Sequence, residues 1–129
     1  MAELTRKELV LALISAGDRP RLRNVDLSGL DLTGLALSHA DLSRANLSGA
    51  NLSGALLDGA NLNAANLNNA NLNRAQVSNA QLIGATLVSA HLVEADLSRA
   101  NFSEADLTGA NLTNANTSGT NFAKTTGKI

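Results

Sequence analysis

No cysteine, tryptophan or tyrosine occurs among the 129 residues, and proline occurs once. The missing cysteine excludes disulfides, Cys-ligated zinc, iron–sulfur clusters and thiol catalysis. With only two phenylalanines, the chain lacks the aromatic platforms on which single-stranded nucleic acid stacks. Neither sign of charge dominates: the formal net charge is −1, so no strong field draws in nucleic acid or anionic lipid. No apolar run reaches the roughly 18 residues of a membrane span. The opening residues mix acids with bases, and no small-residue cleavage site follows an apolar stretch. No secretory signal is therefore expected, and a cytoplasmic setting is. Leu, Ile, Val and Phe still make up about a quarter of the chain, above the roughly 20% below which chains stay disordered. One folded domain of modest size is expected.

What the chain does have is a period of five. Leu recurs at every fifth position from Leu22 to Leu72, and the series continues through Val77, Leu82, Leu87, Leu92, Leu97, Phe102, Leu107, Leu112, Thr117 and Phe122. Ala stands two residues before each centre from Ala40 to Ala115, and the residue between is mostly Asn or Asp. Five residues advance about 500° on an α-helix, so no apolar stripe forms there. A continuous strand fails as well, because odd spacing turns every second Leu to the wrong face. A short strand followed by a corner does work. Ala and Leu then point inward as i and i+2 of a three-residue strand, with Asn or Asp pointing out between them. Turns of about 90° close after four repeats, and the resulting 20-residue coils stack as parallel strands about 4.8 Å apart.

Runs such as Ala45-Asn46-Leu47-Ser48-Gly49 and Ala105-Asp106-Leu107-Thr108-Gly109 resemble the pentapeptide-repeat family, whose consensus is A(D/N)LXX. The opening helix and short length also resemble small cyanobacterial members. The resemblance spans about residues 20–124. It implies an all-β solenoid, a right-handed quadrilateral parallel β-helix of about five coils with a short N-terminal capping α-helix. The expected layout is residues 1–19 for the capping helix and connection, 20–124 for the β-helix and 125–129 for a C-terminal tail.

Folding the sequence at 20 residues per coil sorts the centres into uniform columns. Leu42, Leu47, Leu52, Leu62, Leu67, Leu72, Leu82, Leu87, Leu92, Phe102 and Phe122 form the expected core. The two phenylalanines fall in one column on neighbouring coils, where their rings can stack. Val25, Leu30 and Leu35 replace Ala only in the first coil, where no coil lies beneath. Thr117 and Thr120 put hydroxyls in core positions, so the core is expected to fade near residue 120. Thr5 and Glu8 have the spacing of a capping box, Leu9, Val10, Leu13 and Ile14 give an apolar helical face, and Gly17 offers a C-cap. A helix over about residues 6–16 should cover the first coil and bury Leu30 and Leu35.

Chemistry is sparse. Sequons such as Asn46-Leu47-Ser48 are by-products of the repeat, and the terminal Thr-Thr-Gly-Lys lacks the upstream glycine of a P-loop. His39 and His91 fall on different sides and cannot share a metal. Ser38, His39 and Asp41 are neighbours, but a triad needs a pocket and an oxyanion hole. No catalytic residue, cofactor or metal is expected. Arg19, Arg21 and Arg23 form a basic cluster read as a solvated charge run, with Asp18, Asp26 and Asp31 nearby. Arg74 with Glu94, and Glu104 with Lys124, share corner columns and are expected as exposed ion pairs.

The best-known activity in the resembled family is DNA mimicry: quinolone-resistance members present an acidic rod to DNA gyrase and dimerise through a C-terminal element. Here no outward column holds carboxylates on adjacent coils, and the dimer element is missing. The favoured reading is a non-catalytic, monomeric structural or protein–protein interaction module with an unidentified protein partner, binding neither nucleic acid nor membrane. The alternative is a nucleic-acid-mimicking inhibitor or regulator of a DNA-binding protein such as gyrase. The candidate interaction surface is the apolar girdle of Ile83, Val88 and Val93, with Leu56, rimmed by Arg74 and Glu94.

Overall fold

Each five-residue repeat must place five backbone N–H groups, and in a typical repeat each has a distinct destination in the computed structural model, which describes residues 4–16 and 19–127. The repeat around Leu27 is typical. The Leu27 N–H donates to the Asn46 carbonyl on the next coil (2.7 Å), and the Gly29 N–H to the Ser48 carbonyl (2.9 Å). The Leu30 N–H closes the corner onto the Leu27 carbonyl (3.3 Å). The N–H before each centre reaches back one coil, as Asn46 does to the Val25 carbonyl (3.0 Å). That leaves the N–H after the centre. At Ser28 it donates to the carboxylate of Asp26 (3.0 Å). Where an Asn or Asp stands before the centre, it is thus the acceptor for the one N–H that the coil-to-coil ladder leaves over, and an unpaired buried N–H would be costly.

All isolated bridges are parallel and join residue i to i+20, from Arg21 with Asp41 to Asp106 with Thr126. Four repeats therefore make one coil, as the columns required. Each side contributes a single bridging residue instead of the expected three-residue strand, because the corner begins immediately after the centre. The second residue after every centre from Asn24 to Lys124 has positive φ, between 57° and 71°. A turn of this kind demands such a residue at its third position. Only eight of these corners are glycine; thirteen carry side chains, including His39, Ala64, Arg74 and Glu94.

The interior is filled by the Ala and centre columns. Every centre from Leu27 to Leu107 and every Ala from Ala40 to Ala105 is at most 1% exposed, and among the described residues no polar residue is buried with them. Phe102 is fully buried, and its ring lies 5.6 Å from that of Phe122 at 31°. Phe122 itself is only half-buried, unlike the other expected core residues, and Leu112 shares its state. The core fades after Leu107, a little more than half a coil before residue 120. The last coil has a neighbour on one side only, so Thr117 is exposed, while the Thr120 hydroxyl donates to the Leu97 carbonyl (2.6 Å).

Helix α1 runs Arg6–Ala16. Both halves of the Thr5–Glu8 capping box form: the Glu8 N–H donates to Thr5 Oγ1 (3.1 Å) and the Thr5 N–H to Glu8 Oε1 (3.2 Å). Leu9 is fully buried in the core, with Leu4, Leu13, Val25, Leu30 and Leu35 packed against it. Leu30 and Leu35 remain half-buried, and Leu11 is 58% exposed. The Arg6 guanidinium donates to the carbonyls of Asp31 and Thr33, tying α1 to the first coil. The Ile14 side chain and Gly17 lie outside the described residues.

Candidate functional site

The girdle residues sit where the repeat departs from its own rule. Before the centres at Leu82, Leu87 and Leu92 stand Gln81, Thr86 and His91, so no Asn or Asp side chain can accept the N–H that follows. Those N–H groups belong to Ile83, Val88 and Val93. They donate to Asn63, Asn68 and Asn73 on the preceding coil, each through Oδ1 at 2.9 Å. The three asparagines are thus structural acceptors, and the three apolar side chains beside them are half-buried, on three successive sides. An offset of 20 residues between Ile83, Val88 and Val93 and the three Asn residues after earlier centres is the signal in the sequence that reveals this exchange.

Leu56 is also half-buried, bridged between Ala36 and Gln76 in a column with no Asn or Asp until Asp96. On this side Asp58 follows the centre, and its Oδ1 is buried without a partner among the described residues. An ordered water is the ordinary way such an atom is satisfied. Arg74 and Glu94 approach to 3.9 Å with both side chains mostly exposed, a pair that contributes little to stability. The expected pair of Glu104 with Lys124 does not form. Two that were not expected do: Arg23 with Asp41 (3.0 Å) and Arg6 with Asp31 (3.7 Å).

The outward carboxylates are held by their own turns. Hydroxyl and backbone N–H donors from Ser28, Thr33, Ser98 and Thr108 keep Asp26, Asp31, Asp96 and Asp106 below the usual carboxylate range, and the Ser43 hydroxyl leads the same effect at Asp41. The column Asp26, Asn46, Asn66, Thr86, Asp106 is charged only at its ends. His39 and His91 are exposed, and among the described residues no group of His, Asp and Glu is placed to hold a metal ion. No helix among the described residues is long and apolar enough to cross a membrane.

The family model for pentapeptide repeats matches in overlapping segments at residues 21–59, 50–87, 78–114 and 105–126. Among solved structures, a pentapeptide repeat protein from the cyanobacterium Cyanothece 51142 is 37% identical, with a TM-score of 0.71 over 72% of this chain and 64% of that one. One from the Arabidopsis thaliana thylakoid lumen is 32% identical, with a TM-score of 0.70 over 73% of this chain and 65% of that one. The chain thus spans just under two thirds of the length of both. No match to a curated protein is found.

Proposed function

The chain belongs to the pentapeptide-repeat family, whose members are right-handed quadrilateral β-helices, and from that premise we propose that it works as a non-catalytic interaction module: a rigid, monomeric peg of about five coils whose first coil is covered by α1. Members of the family are generally structural or interaction modules. The observation that carries the reading is the filled interior. Ala and Leu columns at most 1% exposed leave no room for a substrate inside the rod, so whatever the protein recognises meets its outer faces. The side chains there are mainly neutral Asn, Ser and Thr engaged in their own turns, which suits a flat protein contact better than a DNA-like stripe. The half-buried girdle of Ile83, Val88 and Val93, with Leu56 and the Arg74–Glu94 corner, supplies its apolar centre.

The test is capture of a protein partner from native extract by the immobilised chain. Ile83→Ser with Val93→Ser should weaken capture at least tenfold, about 1.4 kcal/mol, with an unchanged melting temperature. Unchanged capture with a lower melting temperature would make the girdle corner packing and move the contact to the Asn columns. Light scattering should give a mass near 13 kDa. Supercoiling by gyrase should be unaffected at micromolar protein; potent inhibition would favour the nucleic-acid-mimicking alternative.

A further inference from the structure

Near α1, one side of the rod carries an open cleft of about 1220 Å³, walled by Arg19, Arg21, Arg23 and His39 and running along Asn61 and Gln81. Its backbone is one column, Arg21–Asp41–Asn61–Gln81, linked by successive parallel bridges. Gly59 shapes the corner. A Cβ there would lie 2.6 Å from His39 Nδ1, so the missing side chain is what lets the imidazole lie across it.

The hydrogen-bond inventory of the cleft is one-sided. Arg23 directs Nε and an Nη onto Asp41 Oδ2 (3.2 and 3.0 Å), while Asp41 Oδ1 accepts from the Ser43 N–H and hydroxyl. The single carboxylate is therefore neutralised and fully engaged. Asn61 Oδ1 is taken by the Asn63 N–H, and Gln81 Oε1 by Asn63 Nδ2 (3.2 Å). The amide groups left to face a ligand are Asn61 Nδ2 and Gln81 Nε2, both donors. Arg19 and Arg21 are exposed and make no ion pair or side-chain hydrogen bond among the described residues. Asp26 and Asp31 sit on other sides of the coil, the latter against Arg6. Asp18 lies outside the described residues; among the described residues, what remains is two guanidiniums without a carboxylate partner, followed by a short ladder of amide donors.

We propose that this cleft binds a phosphate monoester with an oxygen-rich body, a sugar phosphate. The phosphate sits between Arg19 and Arg21, where planar guanidiniums match its oxygens. Its hydroxyl oxygens accept from Asn61 and Gln81. Two coil steps separate Arg21 from Asn61, roughly 10 Å, the length of such a molecule. The cleft adjoins the girdle only at its far end, where Asn63 bonds both Gln81 and Ile83, and its phosphate end at Arg19 and Arg21 is tested without changing the girdle.

Titration calorimetry and amide NMR shifts test this on the intact chain with ribose 5-phosphate, inorganic phosphate and ribose. Ribose 5-phosphate should bind at least tenfold more tightly than inorganic phosphate, ribose should not bind, and shifts should centre on Asp41, Gly59 and Asn61. Arg19→Gln with Arg21→Gln should weaken binding at least tenfold with an unchanged melting temperature. Arg99→Gln with Lys124→Gln, which removes equal charge elsewhere, should leave it unaltered. Equal affinity for phosphate and ribose 5-phosphate would reduce the cleft to a charge trap and overturn the proposal. So would equal weakening by the two double variants, or no shifts with ribose 5-phosphate up to about 10 mM, a concentration at which even a site of Kd about 1 mM is mostly filled.

Discussion

Replacing Ala70 by leucine tests the packing at its tightest point. Ala70 is fully buried, and the coil register puts Ala50 below it and Ala90 above it in one column. The coil spacing cannot relax locally, because the Asn71 N–H is bonded to the Ala50 carbonyl and the His91 N–H to the Ala70 carbonyl, both at 2.9 Å. Three added carbons must therefore displace neighbours that are themselves bonded on both sides. Leu30 begins the same column, but it is only half-buried and has no coil beneath it. Overpacking of this kind costs about 1–3 kcal/mol. In a domain of this size that lowers the melting temperature by roughly 3–15 °C. The control is Gln76→Leu. Gln76 is exposed, makes no side-chain hydrogen bond among the described residues, and follows Leu56 in its column, so the change should stay within about 0.5 kcal/mol. The adjacent Asn69 is a poor control despite facing outward. Its φ is 61°, and leucine there would incur left-handed strain of about 1–2 kcal/mol that asparagine largely avoids. Thermal melts followed by far-ultraviolet circular dichroism measure both variants. Equal losses for Ala70→Leu and Gln76→Leu would refute the inward assignment of the Ala columns.

Asn68→Ala removes the acceptor of the Val88 N–H and should cost about 1–3 kcal/mol, with faster hydrogen exchange at the Val88 amide; unchanged exchange there would show that the bond protects nothing. Ala64→Gly relieves a left-handed corner at φ 60° and should raise stability by roughly 0.5–1 kcal/mol once the extra freedom of unfolded glycine is deducted, read as a higher urea midpoint. The folded-state pKa values of Asp41 and Asp96 lie below their unfolded values, so the stabilisation they supply is present above about pH 4 and lost as pH falls through the lowered values. Melting temperature should hold from pH 7 to about 5 and drop below about 4, and Asp96→Asn, which keeps an acceptor for the Ser98 N–H, should flatten that drop.

The coil, its register and its core were legible because they depend on residues a fixed distance apart. Period five with an inward Ala–Leu pair admits one geometry, and the bridges at i+20 follow from it. The corners were not legible. A left-handed residue is ordinarily announced by glycine or asparagine, yet His39, Arg44, Arg74, Glu94, Arg99, Glu104 and Lys124 all adopt it. At all of these but Lys124, which lies in the last coil, the strain is outweighed by a corner N–H bonded to the neighbouring coil, as Arg74 is to the Val93 carbonyl (2.9 Å), and that bond exists only once two coils are stacked. The expected end of the core shifted for a related reason. Side-chain polarity pointed to Thr117 and Thr120, whereas burial is lost as soon as a coil lacks a neighbour above it, whatever its residues.

The girdle separates the two kinds of information most clearly. In the sequence, Ile83, Val88 and Val93 are three apolar intrusions on a polar surface, which reads as a contact patch. In the fold, they accompany a transfer of hydrogen-bond duty from Gln81, Thr86 and His91 to Asn63, Asn68 and Asn73. The position after a centre has two possible uses: a hydroxyl that bonds its own turn, as at Ser43 and Ser98, or a carboxamide that serves the coil above. Where the coil below already supplies the acceptor, that position and the one before the centre are both released from the turn. Thr86 and His91 are therefore nearly as free to vary as the apolar residues beside them, while Gln81 is still held by Asn63 Nδ2. Any partner selected on this coil can be met by both sets of side chains without loss of the ladder that holds the rod together.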